Sequence, residues 1–267
     1  GKLSRVVLQA TLGRASATQI ALSPDGVLLA VASPIGIYLY PVSTLDLSAF
    51  LPGDGGAIGI SFSPDGEVIA TTSSRGTVAL RRVADGTILR TLEGDTGYPA
   101  GTCLFTPDAR YLISNSIDGA VRLWRVEDGR LMATFRGDAE VGMDYMGRER
   151  AGTTDLAVSR DAVLLATVAR TAGVRVYDVA SGGLLRTIDG SCVAFSPAAA
   201  LLAVCLSGND AISEAIQVWD VNSWSLAETI PISPAKVTSI GFSADGANLI
   251  LAAGTFIRVI GLASHWA

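Results

Sequence analysis

Histidine and cysteine, the side chains that most often carry catalysis or bind transition metals, are scarce in this sequence. The one histidine is His265, near the end of the sequence, and we expect it to be an exposed tail residue. His-Glu-x-x-His, Gly-x-Ser-x-Gly and Cys-x-x-Cys motifs are absent, as is a phosphate-binding loop ending in Gly-Lys. The sequence therefore predicts a protein without a catalytic site, a bound metal or another cofactor.

Charge is also sparse, and positive charge is the scarcer sign. Charged residues make up 17% of the chain, and 25 acidic residues outnumber 20 basic ones. A nucleic-acid-binding protein needs a net cationic face against phosphates, so the formal charge of −5 argues against such a partner. No apolar run approaches the roughly 20 residues of a membrane-spanning helix, so we expect no membrane insertion. We expect an ordered, monomeric globular protein.

Cys103, Cys192 and Cys205 are an odd number of cysteines without metal-ligand spacing. We therefore expect three reduced thiols that are buried as small apolar side chains. No Asn-x-Ser/Thr sequon occurs, which favours the cytoplasm as the compartment. An exported form from which a leader has been removed is the alternative.

A short internal repeat runs along the chain. Ser-Pro-Asp-Gly occurs at residues 23–26 and 63–66, and degenerate copies begin at Thr106, Ser159, Ser196 and Ser243. The spacings are 40, 43, 53, 37 and 47 residues. Each copy follows a short run of alternating apolar residues, as in residues 60–62. Two-residue alternation that ends in a Pro-Asp-Gly turn predicts a strand entering a tight hairpin.

Further apolar runs complete each repeat. A second run follows the turn, as in residues 248–253, and a third follows that, as in residues 174–177. A short turn then leads to a fourth run, such as residues 184–188. Four short antiparallel strands at a period of about 40 to 45 residues are typical of a β-propeller blade. Since no segment shows sustained helical periodicity, the sequence predicts an all-β fold.

Two segments carry a resemblance to a known family. Residues 111–124 read Y-L-I-S-N-S-I-D-G-A-V-R-L-W, and Trp219-Asp220 forms a Trp-Asp dipeptide. The repeats resemble the WD-repeats of the WD40 family, and the likeness extends over the whole chain. That resemblance implies structural roles for Trp219 and Asp220.

Blades of the WD40 family are often pinned by a loop His, a turn Asp, a strand Ser or Thr, and a Trp. The resemblance implies that Asp118, Ser114 and Trp124 fill the last three roles in the third blade. Every blade lacks the histidine, and Gly-Asp stands at 94–95 and 137–138 where the family usually has Gly-His. We therefore expect the blades to depend more on apolar packing than on buried polar networks.

Six copies of the first strand predict one domain over residues 1–267, a closed six-bladed β-propeller with four antiparallel strands per blade. The sixth copy has three strands and ends near Leu262. Residues 5–12 match fourth strands such as residues 90–92. We expect this N-terminal strand to complete the sixth blade, which would remove an exposed sheet edge. A truncated seven-bladed ring is the alternative.

For function, the resemblance implies a non-catalytic platform or scaffold for protein–protein interactions. One alternative is an accessory or sensory propeller domain of a longer chain. Another is a propeller hydrolase with a metal in a central channel, which would need several acidic ligands from the first strands of the blades. Those strands contain one carboxylate, Asp155. We expect it to be a hydrogen-bonded residue instead.

The candidate partner site lies on two long connections that should emerge on one face. Residues 136–152 account for the 53-residue spacing and are rich in Met, Tyr and Arg, which are enriched at protein interfaces. We expect a protein or peptide partner to be anchored there, with a rim supplied by residues 207–215. The anchors would be Met143, Tyr145, Met146, Arg148 and Arg150, and the rim Asn209, Asp210 and Glu214. The alternative is a loop that packs onto its own blade.

Overall fold

The computed structural model is all-β. It describes residues 16–53, 55–92, 100–116, 118–136, 142–143, 149–150, 153–169, 173–206, 215–232, 237–253 and 256–262. Every regular element within these ranges is a strand. They contain no helix whose length and hydropathy would let it cross a membrane.

Apart from one two-stranded sheet, the described strands form six sheets whose members follow one another along the chain. Five sheets have four antiparallel strands, and the last has three in the part of the chain described. The prediction of six four-strand repeats is therefore confirmed for five sheets and for three strands of the sixth. The chain divides into two compact units, residues 1–103 and 104–267. Residues 5–12, expected to supply the remaining strand, lie outside the described residues.

The first unit holds two sheets. The first sheet contains β1 (Gln19–Leu22), β2 (Leu28–Ser33), β3 (Gly36–Pro41) and β4 (Ala49–Pro52). The second contains β5 (Gly59–Phe62), β6 (Val68–Thr72), β7 (Val78–Arg82) and β8 (Ile88–Leu92).

The second unit holds the other four sheets, and the unit boundary falls within the first strand of the third sheet. The third sheet contains β9 (Ala100–Phe105), β10 (Tyr111–Ser116), β11 (Ala120–Arg125) and β12 (Leu131–Arg136). A separate two-stranded sheet follows, β13 (Gly142–Met143) and β14 (Glu149–Arg150). The fourth sheet contains β15 (Thr153–Val158), β16 (Leu164–Ala169), β17 (Gly173–Asp178) and β18 (Leu184–Ile188). The fifth contains β19 (Cys192–Phe195), β20 (Leu201–Cys205), β21 (Ala215–Asp220) and β22 (Ser225–Pro231). The sixth contains β23 (Val237–Phe242), β24 (Asn248–Ala253) and β25 (Phe256–Gly261).

The repeated turn explains why each first strand reverses where it does. The Ser23 hydroxyl donates to Asp25 Oδ1 at 2.5 Å and accepts from the Leu28 amide at 2.8 Å. Asp25 Oδ1 also accepts from the Val27 amide at 3.0 Å. The hydroxyl's bond to the carboxylate, and then the amide bond, lower the pKa of Asp25. The same hydroxyl–carboxylate pair is found at Ser63/Asp65, Thr106/Asp108, Ser159/Asp161 and Ser243/Asp245.

Apolar residues pack between consecutive sheets within each unit. In the first unit Ile37, Leu39 and Leu51 of the first sheet pack with Ile60 and Ile69 of the second. In the second unit three such clusters join the third sheet to the fourth, the fourth to the fifth, and the fifth to the sixth. At about 25 cal/mol per Å² of apolar surface, this burial is the main stabilising contribution.

Candidate functional site

The predicted tryptophan–serine pair is present in the third sheet. Trp124 is 1% exposed, and its Nε1 donates to the Ser114 Oγ at 2.9 Å. The bond satisfies the indole N–H, which would otherwise be buried without a partner at a cost of about 1 to 3 kcal/mol. The pair ties β10 to β11 and has a structural role.

Asp118 forms an ion pair with an arginine of the third sheet. Arg122, which lies opposite Ser114 in the β10–β11 register, donates to Asp118 Oδ2 at 2.6 Å. Asp118 Oδ1 also accepts from the Ala120 amide at 3.0 Å. Burial alone would raise the pKa of Asp118, but the bonds from Arg122 and Ala120 outweigh it and lower the pKa. Arg122 thus gives the turn carboxylate a cationic partner in a sheet whose sequence contains no histidine.

The Trp-Asp dipeptide of the fifth sheet is bonded differently. Trp219 is half-buried, and its Nε1 donates to Gln217 Oε1 at 3.2 Å. Asp220 Oδ1 accepts from the amides of Asn222 at 2.8 Å and Ser223 at 2.9 Å. Asp220 therefore fixes the turn between β21 and β22, and the dipeptide serves the fold of its own sheet.

In the second sheet, Arg81 occupies the position that Trp124 holds in the third. Ile69 lies opposite Arg81 as Leu112 lies opposite Trp124, and both strands have a register irregularity just before that residue. Arg81 is 8% exposed, and its Nε has no hydrogen-bond partner. Its Nη1 donates to the Gly86 carbonyl oxygen at 3.5 Å, the outer limit for such a bond. Burial lowers the pKa of Arg81.

Asp155 is hydrogen-bonded, as expected. Its Oδ1 accepts from the Leu156 amide at 2.9 Å, and its Oδ2 accepts from the Val193 amide at 3.4 Å, which links β15 to β19. Burial raises the pKa of Asp155 and the two amide bonds oppose the rise. Gln19 makes the equivalent link in the first unit, where its Oε1 accepts from the Ile60 amide at 2.8 Å. Both side chains join neighbouring sheets.

The expectation of three reduced cysteines is wrong for two of them. Cys192 and Cys205 form a disulfide, with a Cα–Cα distance of 5.2 Å. They lie directly opposite each other on β19 and β20, at a separation that a disulfide bridges readily. Cys103 is the free, buried thiol that was expected, and burial raises its pKa to about 12.

The predicted partner site is described only in part. Met143 and Arg150 lie on the β13–β14 hairpin, where Met143 pairs with Glu149 and Gly142 with Arg150. The other predicted anchor and rim residues lie outside the described residues: Tyr145, Met146, Arg148, Asn209, Asp210 and Glu214. The grouping of these side chains stays a prediction.

A cavity of about 550 Å³ between the fourth and fifth sheets was not anticipated from the sequence. Its walls are the Ser159–Leu164 turn on one side and the Phe195–Leu201 turn on the other, with Val221 and Asn222 completing them. These turns lie at the opposite end of the sheets from the point where the chain leaves β12, because the first turn of a four-stranded meander and the exit of its fourth strand lie at opposite ends. Within the described ranges, no three His, Cys, Asp or Glu side chains are arranged to hold a metal ion.

Comparison with known proteins agrees with the repeat structure. Residues 45–80 and 86–125 match the family model for the WD domain, G-beta repeat. These two segments run from just before β4 into β7 and from just before β8 to the end of β11. A search of curated proteins gave no significant match. The part of the chain between residues 45 and 125 is therefore similar to WD40 repeats.

Proposed function

We propose that this chain is a non-catalytic platform that binds a protein or peptide partner on the face of its two long connections. WD40 domains are typically protein-interaction scaffolds and are usually non-catalytic. The partner is therefore expected to be a protein rather than a small substrate. Long connections on a rigid scaffold are where binding residues tend to lie.

The observation that supports the proposal is the end of the sheets at which the chain leaves β12 and β20, both in the second unit. Residues 137–152 follow β12, the fourth strand of its sheet, and residues 206–214 follow β20, the second strand of its sheet. In an antiparallel sheet with consecutive strands, the chain leaves the second and fourth strands at the same end. The first connection also contains its own hairpin, β13–β14.

Met143, Tyr145, Met146, Arg148 and Arg150 are the proposed anchors, with Asn209, Asp210 and Glu214 at the rim. Met, Tyr and Arg bring large contact area and adaptable or cationic groups to an interface, which is why they are enriched there. The pairing of β13 with β14 supports this role because it places Met143 and Arg150 on a short two-stranded sheet outside the six larger sheets.

The test is to replace residues 137–152 by a short Gly-Ser linker and to compare partner capture from an extract of the source cells. The exchange begins after Arg136 because that residue belongs to β12. Capture should be lost while the melting temperature changes little. A control that replaces the exposed Arg110 and Arg130 by alanine, at the opposite end of the third sheet, should capture normally. Unchanged capture by the linker variant would refute this site, and loss of folding would show that the segment is packing material.

We also propose that residues 5–12 add a fourth strand to the sixth sheet, making residues 1–267 one closed domain. The support is β25, the last described strand of a three-stranded sheet, whose Ile257 and Val259 are 74% and 57% exposed. Deleting residues 1–13 should remove apolar burial worth on the order of several kcal/mol and expose a sheet edge. A truncated protein that is equally heat-stable and still monomeric by light scattering would refute the proposal.

A further inference from the structure

The cavity between the fourth and fifth sheets lies where two turns depart from the repeat. Most of the repeated turns have proline after the first Ser or Thr, but the fourth has Arg160 and the sixth has alanine. In the fifth turn, Ala198 and Ala199 stand where the first two copies have Asp-Gly. Arg160, Ala198 and Ala199 all line the same cavity.

These departures change which side chains face each other at this position. In the first unit the corresponding turns lie close together, since a Cβ added to Gly66 would be in van der Waals contact with Pro24 Cδ, at 3.6 Å. Between the fourth and fifth sheets no proline ring is present to make that contact, and Arg160 is exposed instead. The cavity volume of about 550 Å³ is within the usual range of roughly 300 to 1,000 Å³ for ligand sites.

The wall formed by the fifth sheet is apolar and uncharged. Phe195, Leu201 and the methyl groups of Ala198, Ala199 and Ala200 contribute to it. The turn closes without a carboxylate, because the Ser196 hydroxyl accepts from the amides of Ala198 at 3.3 Å and Ala199 at 3.2 Å. A ligand side chain against this wall meets aliphatic and aromatic carbon.

The wall formed by the fourth sheet supplies the charge. Asp161 Oδ1 is engaged in its own turn, where it accepts from the Ser159 hydroxyl at 2.5 Å and the Val163 amide at 3.1 Å. Arg160 has no ion pair or hydrogen bond in the part of the chain that is described. Its five guanidinium donors are available to an incoming acceptor, and a carboxylate matches their geometry.

We propose that this cavity binds a linear peptide in which an apolar side chain is followed directly by an aspartate or glutamate. The apolar side chain fills the space against Phe195, Leu201 and the alanines, and the carboxylate accepts from the Arg160 guanidinium. This site is separate from the proposed partner face, because it lies at the opposite end of the sheets from the point where the chain leaves β12.

The test uses three synthetic peptides on the intact chain: acetyl-Gly-Leu-Leu-Asp-Gly-amide, the same peptide with lysine for aspartate, and the same with two serines for the leucines. Binding is followed to millimolar concentration by backbone amide chemical shifts in NMR spectra. The acidic, apolar peptide should shift the amides of Val163, Leu164 and Leu201. The lysine and serine peptides should bind at least about tenfold more weakly, because each lacks one of the two contacts.

Substitutions in the cavity test whether the peptide binds there. Arg160→Glu should weaken binding of the acidic peptide by about tenfold or more, and Ala199→Leu should also weaken it by filling the space. Arg110→Glu, a charge reversal on an exposed arginine of the third sheet's turn, should leave binding unchanged. The Gly-Ser replacement of residues 137–152 should also leave it unchanged, so the two proposals fail independently. No shift at these amides at millimolar peptide, or equal binding of the aspartate and lysine peptides, would overturn the proposal.

Discussion

Replacing Arg81 by methionine should stabilise the protein. Arg81 is 8% exposed, its Nε has no hydrogen-bond partner, and no described carboxylate forms an ion pair with it. Leaving a buried polar group unsatisfied costs about 1 to 3 kcal/mol, and more for a charged group. Methionine keeps an unbranched apolar stem of similar length but removes the guanidinium. Loss of the long bond to the Gly86 carbonyl oxygen offsets about 0.5 to 1 kcal/mol. The expected gain in the free energy of unfolding is about 1 to 2 kcal/mol.

Tryptophan at the same position tests the structural equivalence of the second and third sheets. Thr71 lies in the second sheet where Ser114 lies in the third, because it is opposite Ala79 as Ser114 is opposite Arg122. In Arg81→Trp the indole N–H should donate to the Thr71 hydroxyl, as Trp124 donates to Ser114. A cycle with Thr71→Val should then give a coupling energy of about 1 kcal/mol.

The measurement is urea unfolding at neutral pH, followed by far-ultraviolet circular dichroism and by tryptophan fluorescence. Coincident transitions are required before free energies are compared, because the chain has two compact units. Arg82→Met is the matched control: its side chain is 50% exposed and paired with Asp85, so the change should stay within about 0.5 kcal/mol. Surface substitutions usually change stability by no more than about 0.5 kcal/mol. If Arg81→Met lowered stability by more than about 1 kcal/mol, twice that scatter, while Arg82→Met was neutral, the reasoning would be refuted, because Arg81 would then have a favourable partner.

Three further predictions concern the turns, the disulfide and Asp155. Ala109→Gly and Ala162→Gly should each stabilise the protein by about 0.5 to 1 kcal/mol in thermal unfolding, because these alanines have left-handed φ values of 57° and 60°. Ala199→Gly is the control and should not stabilise the protein, because Ala199 is not in the left-handed region. Reduction of the Cys192–Cys205 disulfide, or replacement of both cysteines by alanine, should lower the free energy of unfolding by about 2 to 4 kcal/mol, because the disulfide closes a loop between residues 13 apart in sequence. When the unreduced protein is unfolded, one free thiol, that of Cys103, should react with a thiol reagent. Burial raises the pKa of Asp155 in the folded protein above its value in the unfolded chain. The free-energy cost of ionising the buried carboxyl is therefore absent below the unfolded pKa and is complete once the pH has risen through the folded pKa. Stability relative to Asp155→Asn should therefore fall with rising pH in that window, and a difference independent of pH would contradict the buried environment of the carboxyl.

Much of the fold could be predicted from the repeat because turn chemistry and register are local. The Ser-x-Asp turn fixes the reversal, and the alternating run before it fixes which side chains share a face. The pairing of Ser114 with Trp124 was implied instead by the resemblance of residues 111–124 to WD40 repeats. The buried arginine could not be predicted, because Arg81 and Arg82 are adjacent and only the bulge in β7 determines which of them is buried.

The disulfide could have been predicted from the register of the repeated hairpins. In the first hairpin Gln19, four residues before Ser23, pairs with Ala32, nine residues after it. The same offsets from Ser196 give Cys192 and Cys205. The odd number of cysteines suggested reduced thiols, but the strand register specified by the repeat pairs Cys192 with Cys205. The cavity at Arg160 was beyond such reasoning, because it depends on how closely turns from neighbouring sheets approach.

The disulfide at the far end of the fifth hairpin also determines what a protease can do there. Pro197, Ala198 and Ala200 are exposed at the tip of this hairpin, between the two bonded cysteines. A cut in this tip would leave the two fragments covalently joined. The nicked protein would migrate as an intact chain without reductant and separate into two pieces once the disulfide was reduced.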